Sequence, residues 1–127
     1  MNQAVIGLGS NIAPEKNIRE AIRLIGQAHP IVGTSTIVTT QPIGYEDQPD
    51  FLNGVVRINT KMGLKGLDAW LRCLEGRLGR VRTKNKYGPR TIDLDIVVWN
   101  GEIIDKDVHE RDFLKQGVLE VWPNLIL

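Results

Sequence analysis

Apolar and polar residues alternate along several stretches of this chain, and elsewhere the apolar residues recur every three or four positions. Alternation is typical of a half-buried strand, whereas the longer period is typical of an amphipathic helix. Pro14 suits the first position of a helix, and Gly26 marks its predicted end. The predicted elements are strand 4–9, helix 14–26, strand 31–40, strand 51–60, helix 64–78 and strand 92–99.

This order of elements predicts an α+β fold of the ferredoxin-like βαββαβ type. Right-handed crossovers would place both helices on one face of a four-stranded antiparallel sheet and leave the other face for the active site. The length of 127 residues indicates a single domain over residues 1–127. Because RNA-binding modules share this architecture, the fold alone does not decide the function.

The composition is that of an ordinary globular protein, with 42% hydrophobic residues and a net charge of +1. No stretch approaches the length of a membrane span, and the N-terminus lacks a basic region followed by a long apolar run. The single cysteine, Cys73, excludes an internal disulfide, and we expect a buried structural thiol within a helix. These features predict a cytoplasmic protein with no membrane partner.

The last predicted strand carries two carboxylates, Asp93 and Asp95, where a strand would normally be apolar. Two unit charges about 4 Å apart repel by about 4 kcal/mol at an effective dielectric of roughly 20. Water on an open sheet could offset this repulsion, and so could a cation. Mg²⁺ is usually held by one or two carboxylates together with substrate phosphates. Alternation would put Ile92, Leu94, Ile96 and Val98 on one face and the two acids, Val97 and Trp99 on the other.

Cations cluster just before this strand, in a segment without an apolar period that is predicted to be a loop. Arg80 and Arg82 lie within it, and Arg90 directly precedes the acids. One interpretation is solvated charge on a flexible connection. The other is an arm that closes over a polyphosphate and excludes water. We favour the second, because the loop leads into the carboxylate strand and such cations suit a metal–polyphosphate ligand.

Residues 87–98, Tyr-Gly-Pro-Arg-Thr-Ile-Asp-Leu-Asp-Ile-Val-Val, resemble the signature of the 6-hydroxymethyl-7,8-dihydropterin pyrophosphokinase family of the folate pathway. Residues 7–11, Gly-Leu-Gly-Ser-Asn, are similar to the end of that family's first strand. The resemblance covers nearly the whole chain. It implies transfer of pyrophosphate from ATP, the co-substrate, to the hydroxymethyl group of the pterin, with release of AMP.

The resemblance also implies a pterin site. Residues 48–53, Gln-Pro-Asp-Phe-Leu-Asn, are similar to the second family motif, in which Phe51 stacks on the pterin and Asn53 hydrogen-bonds its edge. From the residues alone, an Asn at a strand entrance is more often a turn-former. By the same resemblance, Thr40 and the backbone near Ile43 would contact the pterin amide edge. Stacking and fixed polar groups suit a flat heterocycle.

For ATP, the resemblance implies that Asp93 and Asp95 hold two Mg²⁺ ions and that Asp95 can accept a proton. Glu75 would face the nucleotide, with a solvated acid on the helix surface as the alternative. The residues implied to bind the nucleotide are Arg72, Glu75, Arg82, Tyr87, Arg90 and Arg111, and those implied in catalysis are Arg80, Arg82 and Asp95.

The chain departs from the family pattern after residues 101–104. The family has a longer loop there, with a Pro-His pair near the phosphates, whereas this chain reaches His109 almost at once. We align Arg111 with the nucleotide-binding arginine of the family and Phe113 with its second pterin-stacking aromatic. His109, which has charged neighbours, is interpreted as a surface residue in preference to a substitute for the missing histidine.

Three functions follow from these observations. The first is the pyrophosphokinase reaction, carried out by a monomer whose partners are small molecules and not nucleic acid. The second is a non-catalytic pterin- or nucleotide-binding relative that has lost the histidine loop. The third is an RNA-binding module, which the paired acids on the sheet face disfavour because they would repel a nucleic-acid backbone.

Overall fold

The computed structural model describes residues 1–81 and 87–127, which form an α+β fold with an open antiparallel sheet. The strands are β1 (Asn2–Ser10), β2 (Ile31–Thr34), β3 (Val38–Thr40), β4 (Phe51–Thr60), β5 (Asp93–Trp99) and β6 (Glu102–Ile103). The helices are α1 (Pro14–Ala28), α2 (Leu64–Arg77), α3 (Asp107–Glu110) and α4 (Asp112–Val121).

The sheet order is β2-β4-β1-β5-β6, with β3 also paired to β4. The prediction of four strands is wrong, because the described residues form six. The predicted strand 31–40 is interrupted where Ser35 bonds to β4 through its side chain: its hydroxyl accepts a hydrogen bond from the Val55 N–H at 2.8 Å. The second added strand, β6, pairs with the end of β5.

The main core lies between one face of the sheet and helices α1 and α2. It contains Ile6 from β1, Ile25 from α1, Leu71 from α2 and Leu94 from β5, each at most 2% exposed. Helix α1 continues beyond its predicted end at Gly26 to Ala28. A glycine inside a helix costs only about 1 kcal/mol, which the packing of Ile25 offsets.

Helices α1 and α2 pack on one face of the sheet, as predicted. The prediction does not include α3 and α4, which partly cover the opposite face. A second core joins Val55 and Val97 of the sheet to Val118 of α4. The sequence feature that indicates α4 is the helical spacing of the apolar residues Leu114, Val118 and Val121. The site occupies the part of this face that α4 leaves open.

A β-bulge changes which way the end of β5 faces. Val5 pairs with Val98 and Ile6 pairs with Ile96, which leaves Val97 as the extra residue. The predicted alternation therefore holds through Ile96. Val98 then joins the second core, and Trp99 packs against the first, each on the face opposite to the predicted one.

Cys73 is exposed on α2, so the prediction of a buried thiol is wrong. It lies beside the buried stripe of Leu67, Leu71 and Leu74 but not on it. Within the described part of the chain, we find no helix of the length and apolar character needed to cross a membrane.

Candidate active site

Two carboxylates stand on the same face of β5, as predicted. In the pairing with β1, Asp93 lies opposite Gly9 and Asp95 lies opposite Gly7. The glycines present no side chains beside the acids, so the floor of the site is bare backbone. The Asp95 side chain is 50% exposed and the Asp93 side chain is 26% exposed, so both can reach a ligand.

Asp93 is bound by two arginines, one on each carboxylate oxygen. Arg80 Nη1 lies 2.8 Å from Oδ1, and Arg90 Nη1 lies 3.1 Å from Oδ2. The guanidinium carbon of Arg90 also lies 4.9 Å from the centre of the Phe51 ring, within cation–π distance. Two cations and an aromatic side chain therefore converge on the first carboxylate. The predicted phosphate-binding residue Arg82 lies outside the described residues.

Glu75 is a buried acid that joins α2 to β5. Its carboxylate accepts hydrogen bonds from Arg72 Nη1 at 2.9 Å, from Arg80 Nη1 at 2.8 Å and from the Leu94 N–H at 2.8 Å. Arg72 also donates to the Leu94 carbonyl. The interpretation of Glu75 as a solvated surface acid is wrong, because its side chain is only 3% exposed. The face of α2 that carries it is turned toward β5, where a backbone donor and two cations satisfy it.

The electrostatics of the site centre on Asp95. Partial burial in the cleft raises its pKa from 3.8 to about 7, and the charges of Asp93, Glu75 and Asp105 act in the same direction. Arg72, at 3.7 Å from Oδ1, lowers the pKa and only partly offsets these effects. The cleft around Asp95 therefore has a surplus of negative charge that favours a cation or a proton.

Burial alone would lower the pKa of the Arg80 guanidinium. Its hydrogen bonds and charge interactions with Asp93 and Glu75 instead raise this pKa above its usual value. Arg80 thus stays charged between two carboxylates, one buried and one facing the cavity.

A cavity of about 450 Å³ opens beside these groups. It combines an aromatic end, polar side chains and cations, the mixture expected of a site that orients a polar ligand. Its lining comprises Gly9, Thr40, Gln41, Pro42, Ile43, Phe51, Asn53, Tyr87, Arg90, Asp93, Lys106, Asp107, Glu110, Arg111 and Phe113.

Asn53 is held in this cavity by its neighbours. Its Nδ2 donates to Thr40 Oγ1 at 2.5 Å across the β3–β4 pair. A Cβ on Gly9 would lie 2.8 Å from Asn53 Oδ1, so the glycine makes room for the amide.

Two further cavities border Asp95. One, of about 100 Å³, also touches Asp93, Asp105 and Asp107. The other, of about 540 Å³, lies toward the start of α2 and is lined by Leu64, Lys65, Asp68, Asp95, Ile96, Ile104, Asp105 and Lys106. Asp95 therefore stands between the aromatic cavity and an open groove.

The structure brings most of the predicted site residues together. The lining of the 450 Å³ cavity contains all five predicted pterin contacts, together with Tyr87, Arg90 and Arg111 from the nucleotide set. Glu75 and Arg72 are absent from this lining. They bond to each other, and Glu75 also accepts a hydrogen bond from the Leu94 N–H of β5. His109 is exposed and lines none of the three cavities, in agreement with its interpretation as a surface residue. The ligands of these residues stay predictions.

Sequence reasoning missed several residues. Lys106 lines both the large cavity and the open groove. It lies in the run Asp105-Lys106-Asp107, which looks like solvated charge in a sequence. Asn11 and Gln48 lie within the motifs at residues 7–11 and 48–53, but the sequence does not predict the side-chain hydrogen bond that they form beside the cavity. No periodicity signals such a contact.

Residues 5–123 match the family model described as 7,8-dihydro-6-hydroxymethylpterin-pyrophosphokinase. This match spans nearly the whole chain and agrees with the residues gathered around the cavity. The chain belongs to this family.

Individual relatives carry the corresponding names. The 2-amino-4-hydroxy-6-hydroxymethyldihydropteridine pyrophosphokinase of Haemophilus influenzae is 37% identical over 140 positions, covering 100% of this chain and 86% of the relative. The enzyme of that name from Bacillus subtilis is 42% identical, covering 94% of this chain and 78% of the relative. The mitochondrial folate synthesis bifunctional protein of Arabidopsis thaliana is 39% identical, covering 98% of this chain and 24% of the relative. Because 140 aligned positions exceed the 127 residues of this chain, the first relative has residues that this chain lacks.

Proposed function

We propose that this protein transfers pyrophosphate from ATP to the hydroxymethyl group of 6-hydroxymethyl-7,8-dihydropterin and releases AMP, a step of folate biosynthesis. One observation carries the proposal: a cavity with two aromatic side chains and an amide runs directly onto a pair of carboxylates surrounded by arginines. The family membership supports the same reaction.

The aromatic end of the cavity suits the pterin. Phe51 and Phe113 provide surfaces for stacking, which adds roughly 0.5–1.5 kcal/mol beyond simple burial. Asn53 and Thr40, already bonded to each other, provide polar atoms for the edge of the ring. Ile43, which lines the same cavity, completes the set with its backbone groups as the proposed contacts. A ring without matching donors and acceptors would leave these groups unpaired, which is the basis of its rejection.

Replacing Gly9 with Ala tests the role of Asn53. The new methyl group would meet Asn53 Oδ1 at 2.8 Å and displace the amide from Thr40. We expect the KM for the pterin to rise about tenfold, because a hydrogen-bonding group of the site is misplaced. The Gly76→Ala variant is the control, since a Cβ on this exposed glycine of α2 would meet nothing within 4 Å. Steady-state kinetics with both variants checks this, and an unchanged KM for Gly9→Ala would contradict the assigned role.

The phosphate groups would lie where the arginines converge. Arg80 and Arg90 now neutralise Asp93, and Arg111 lines the same cavity. Arginine suits phosphate oxygens because its planar fork donates two parallel hydrogen bonds. We infer that Arg80 and Arg90 contact the phosphates once ATP is bound, with Arg82 as a third phosphate ligand.

Asp93 and Asp95 are the groups that would hold Mg²⁺, and we propose two ions, as the family resemblance implies. The donors fit, because both are hard oxygen ligands on one face of a strand, and burial together with the neighbouring carboxylates raises the pKa of Asp95. In the described ranges, residues 1–81 and 87–127, no group of three or more metal-binding side chains occurs, so the phosphates of ATP would supply the remaining oxygens. Bound Mg²⁺ would neutralise the phosphates and stabilise charge on the attacking and leaving oxygens.

The chain's own residues account for the rest of the reaction. The pterin hydroxyl oxygen forms a bond to the β-phosphorus of ATP while the bond from that phosphorus to the oxygen shared with the α-phosphorus breaks. AMP leaves with that oxygen, and the β- and γ-phosphates stay on the pterin as pyrophosphate. Asp95 Oδ is the proposed acceptor of the hydroxyl proton, because Asp95 lines a small cavity together with Asn53 and Phe113 from the pterin end of the site. The open groove beyond Asp95 offers Leu64, Ile96 and Ile104 as apolar contacts for the nucleoside of ATP.

The non-catalytic alternative has no observation in its favour among the described residues. An AMP-release assay with ATP and Mg²⁺, with the pterin supplied and omitted, separates the two functions. The reaction predicts AMP only when the pterin is present. Pterin binding without AMP release would instead support the non-catalytic relative. The monomeric state, the cytoplasmic location and the absence of nucleic-acid partners stay predictions.

We also infer that the sheet and its first two helices form a ferredoxin-like βαββαβ core. The support is that β2 and β3 share one neighbour, β4, and so take the place of a single strand. Counted in this way, the order β2/β3–β4–β1–β5 is antiparallel throughout, with α1 following β1 and α2 following β4.

A further inference from the structure

Asn11 and Gln48 meet beside the cavity, at a point where three segments of the chain come together. The Asn11 side chain, in a residue only 4% exposed, donates from Nδ2 to Gln48 Oε1 at 2.8 Å and to the Pro49 carbonyl at 3.0 Å. Its Oδ1 accepts from the Arg90 N–H at 2.9 Å, and its own backbone N–H donates to the Arg90 carbonyl at 3.2 Å. One buried amide thus bonds to two chain segments that border the cavity.

Gln48 extends this connection to the residue before the Gly-Pro turn. Its Nε2 donates to the Tyr45 carbonyl and to the Tyr87 carbonyl, each at 2.6 Å. Nearby, Gly44 packs directly under the Tyr87 ring, with a φ of +89°, and a Cβ there would lie 2.7 Å from the ring. Loop 41–50 and segment 87–90 are therefore joined by side-chain hydrogen bonds and by a close packing contact.

The segments joined in this way carry the two halves of the site. Loop 41–50 contains Ile43 and leads directly into Phe51, at the pterin end of the cavity. Segment 87–90 ends in Arg90, which binds Asp93 and lies over the Phe51 ring. Asn11 follows the last residue of β1, a central strand, so the junction is attached to the most constrained part of the sheet. Neither Asn11 nor Gln48 lines the cavity.

We propose that Asn11 and Gln48 are positioning residues, which hold the pterin side of the cavity and the Arg90 segment in one relative geometry. The proposal rests on the proposed function, because it concerns how the two substrates are brought together. A displacement of about 1 Å between reacting groups can cost about 100-fold in rate. We therefore expect the hydrogen bonds that join loop 41–50 to segment 87–90 to affect the rate directly.

Two isosteric substitutions each remove a different set of the hydrogen bonds that Asn11 and Gln48 make. Gln48→Glu keeps an oxygen facing Asn11 Nδ2 but removes the donors to Tyr45 and Tyr87. Asn11→Asp keeps the acceptor for the Arg90 N–H but removes the donors to Gln48 and Pro49. Asn17→Asp is the matched control, because it removes a similar amide donor, to the Ile12 carbonyl, outside the cavity.

Amide hydrogen exchange tests the junction without requiring turnover. We expect Gln48→Glu to accelerate exchange both in residues 42–51 and in residues 87–91, while Asn17→Asp changes neither. Acceleration confined to residues 42–51 would overturn the proposal, because the two segments would then move independently. This result stands even if the wild-type protein releases no AMP, an outcome that would count against the proposed function alone.

Kinetics tests whether the junction matters for the reaction. We expect Gln48→Glu and Asn11→Asp each to lower kcat/KM for the pterin by about 10- to 100-fold, with Asn17→Asp close to wild type. A merely structural role predicts a lower unfolding temperature with unchanged kcat/KM well below that temperature. Wild-type kcat/KM in both variants under those conditions would overturn the proposal.

Discussion

Replacing Asp95 with Asn is expected to lower the rate of AMP release by about 1000-fold while the protein stays folded. The carboxylate stands between the aromatic cavity and the open groove, where it would hold Mg²⁺ and accept the hydroxyl proton. Loss of one preorganised electrostatic group in a site commonly costs 100- to 1000-fold, roughly 3–4 kcal/mol in the barrier. Steady-state assays at saturating ATP, Mg²⁺ and pterin measure this loss.

The same substitution is expected to stabilise the metal-free protein at pH 8. The pKa of Asp95 is raised from 3.8 to about 7, so between these values the folded protein binds more protons than the unfolded chain. The free energy of unfolding therefore falls as pH rises through this window. Above the window Asp95 is fully ionised, and its destabilising effect on the folded protein is complete. Because the side chain is half exposed, we expect a gain of only about 1–2 kcal/mol after allowing for solvent screening.

Denaturant titrations in the presence of a chelator, at pH 4 and pH 8, test the sign of this effect. The free energy of unfolding of Asp95→Asn should exceed that of wild type at pH 8 and approach it at pH 4. Asp47→Asn, in an exposed loop, should have the free energy of unfolding of wild type at both pH values. Wild-type turnover in Asp95→Asn would contradict the catalytic role. A variant less stable than wild type at pH 8 would contradict the electrostatic account.

Replacing Glu75 with Gln is expected to destabilise the protein by about 3–5 kcal/mol, because it removes one partner from a buried ion-pair network. Arg72 and Arg80 would lose their common carboxylate, and the Leu94 N–H would lose a charged acceptor. Since Arg80 also reaches Asp93, we expect kcat to fall as well. Urea unfolding and AMP-release kinetics on one preparation measure both effects.

Glu20→Gln is the matched control for this substitution. Glu20 pairs with Arg23 at the same i, i+3 spacing within a helix as Glu75 with Arg72, but on a surface open to solvent. Surface pairs contribute little, so the unfolding midpoint of Glu20→Gln should stay close to that of wild type. Equal midpoints for Glu75→Gln and Glu20→Gln would show that burial of the network has no energetic consequence.

Local patterns predicted most of the fold because each core element carries its own periodicity. The predicted strand 51–60 and helix 64–78 agree with β4 and α2 to within a residue. The predictions that were wrong concern features that depend on contacts between residues far apart in the sequence. The break in strand 31–40 comes from Ser35 bonding to β4, and the bulge at Val97 comes from pairing with β1. No pattern within either segment contains that information.

The candidate site divides in the same way. The motif residues Phe51, Asn53 and Asp93 converge on one cavity, as the resemblance implies. The sequence does not predict the burial of Glu75, because its position off the apolar stripe is compatible with either solvent or a buried network. Only the approach of α2 to β5, which brings the Leu94 N–H within 2.8 Å, decides between them. The role of Lys106 depends on how α3 is placed, which the sequence alone does not predict.

The most direct test of the proposed reaction is to follow a label from the β-phosphorus of ATP. The purified protein would be incubated with β-labelled ATP, Mg²⁺ and 6-hydroxymethyl-7,8-dihydropterin, and the products separated. Pyrophosphate transfer predicts that the label moves to the pterin in step with unlabelled AMP. Label recovered in ADP, or in free phosphate with unmodified pterin, would contradict it.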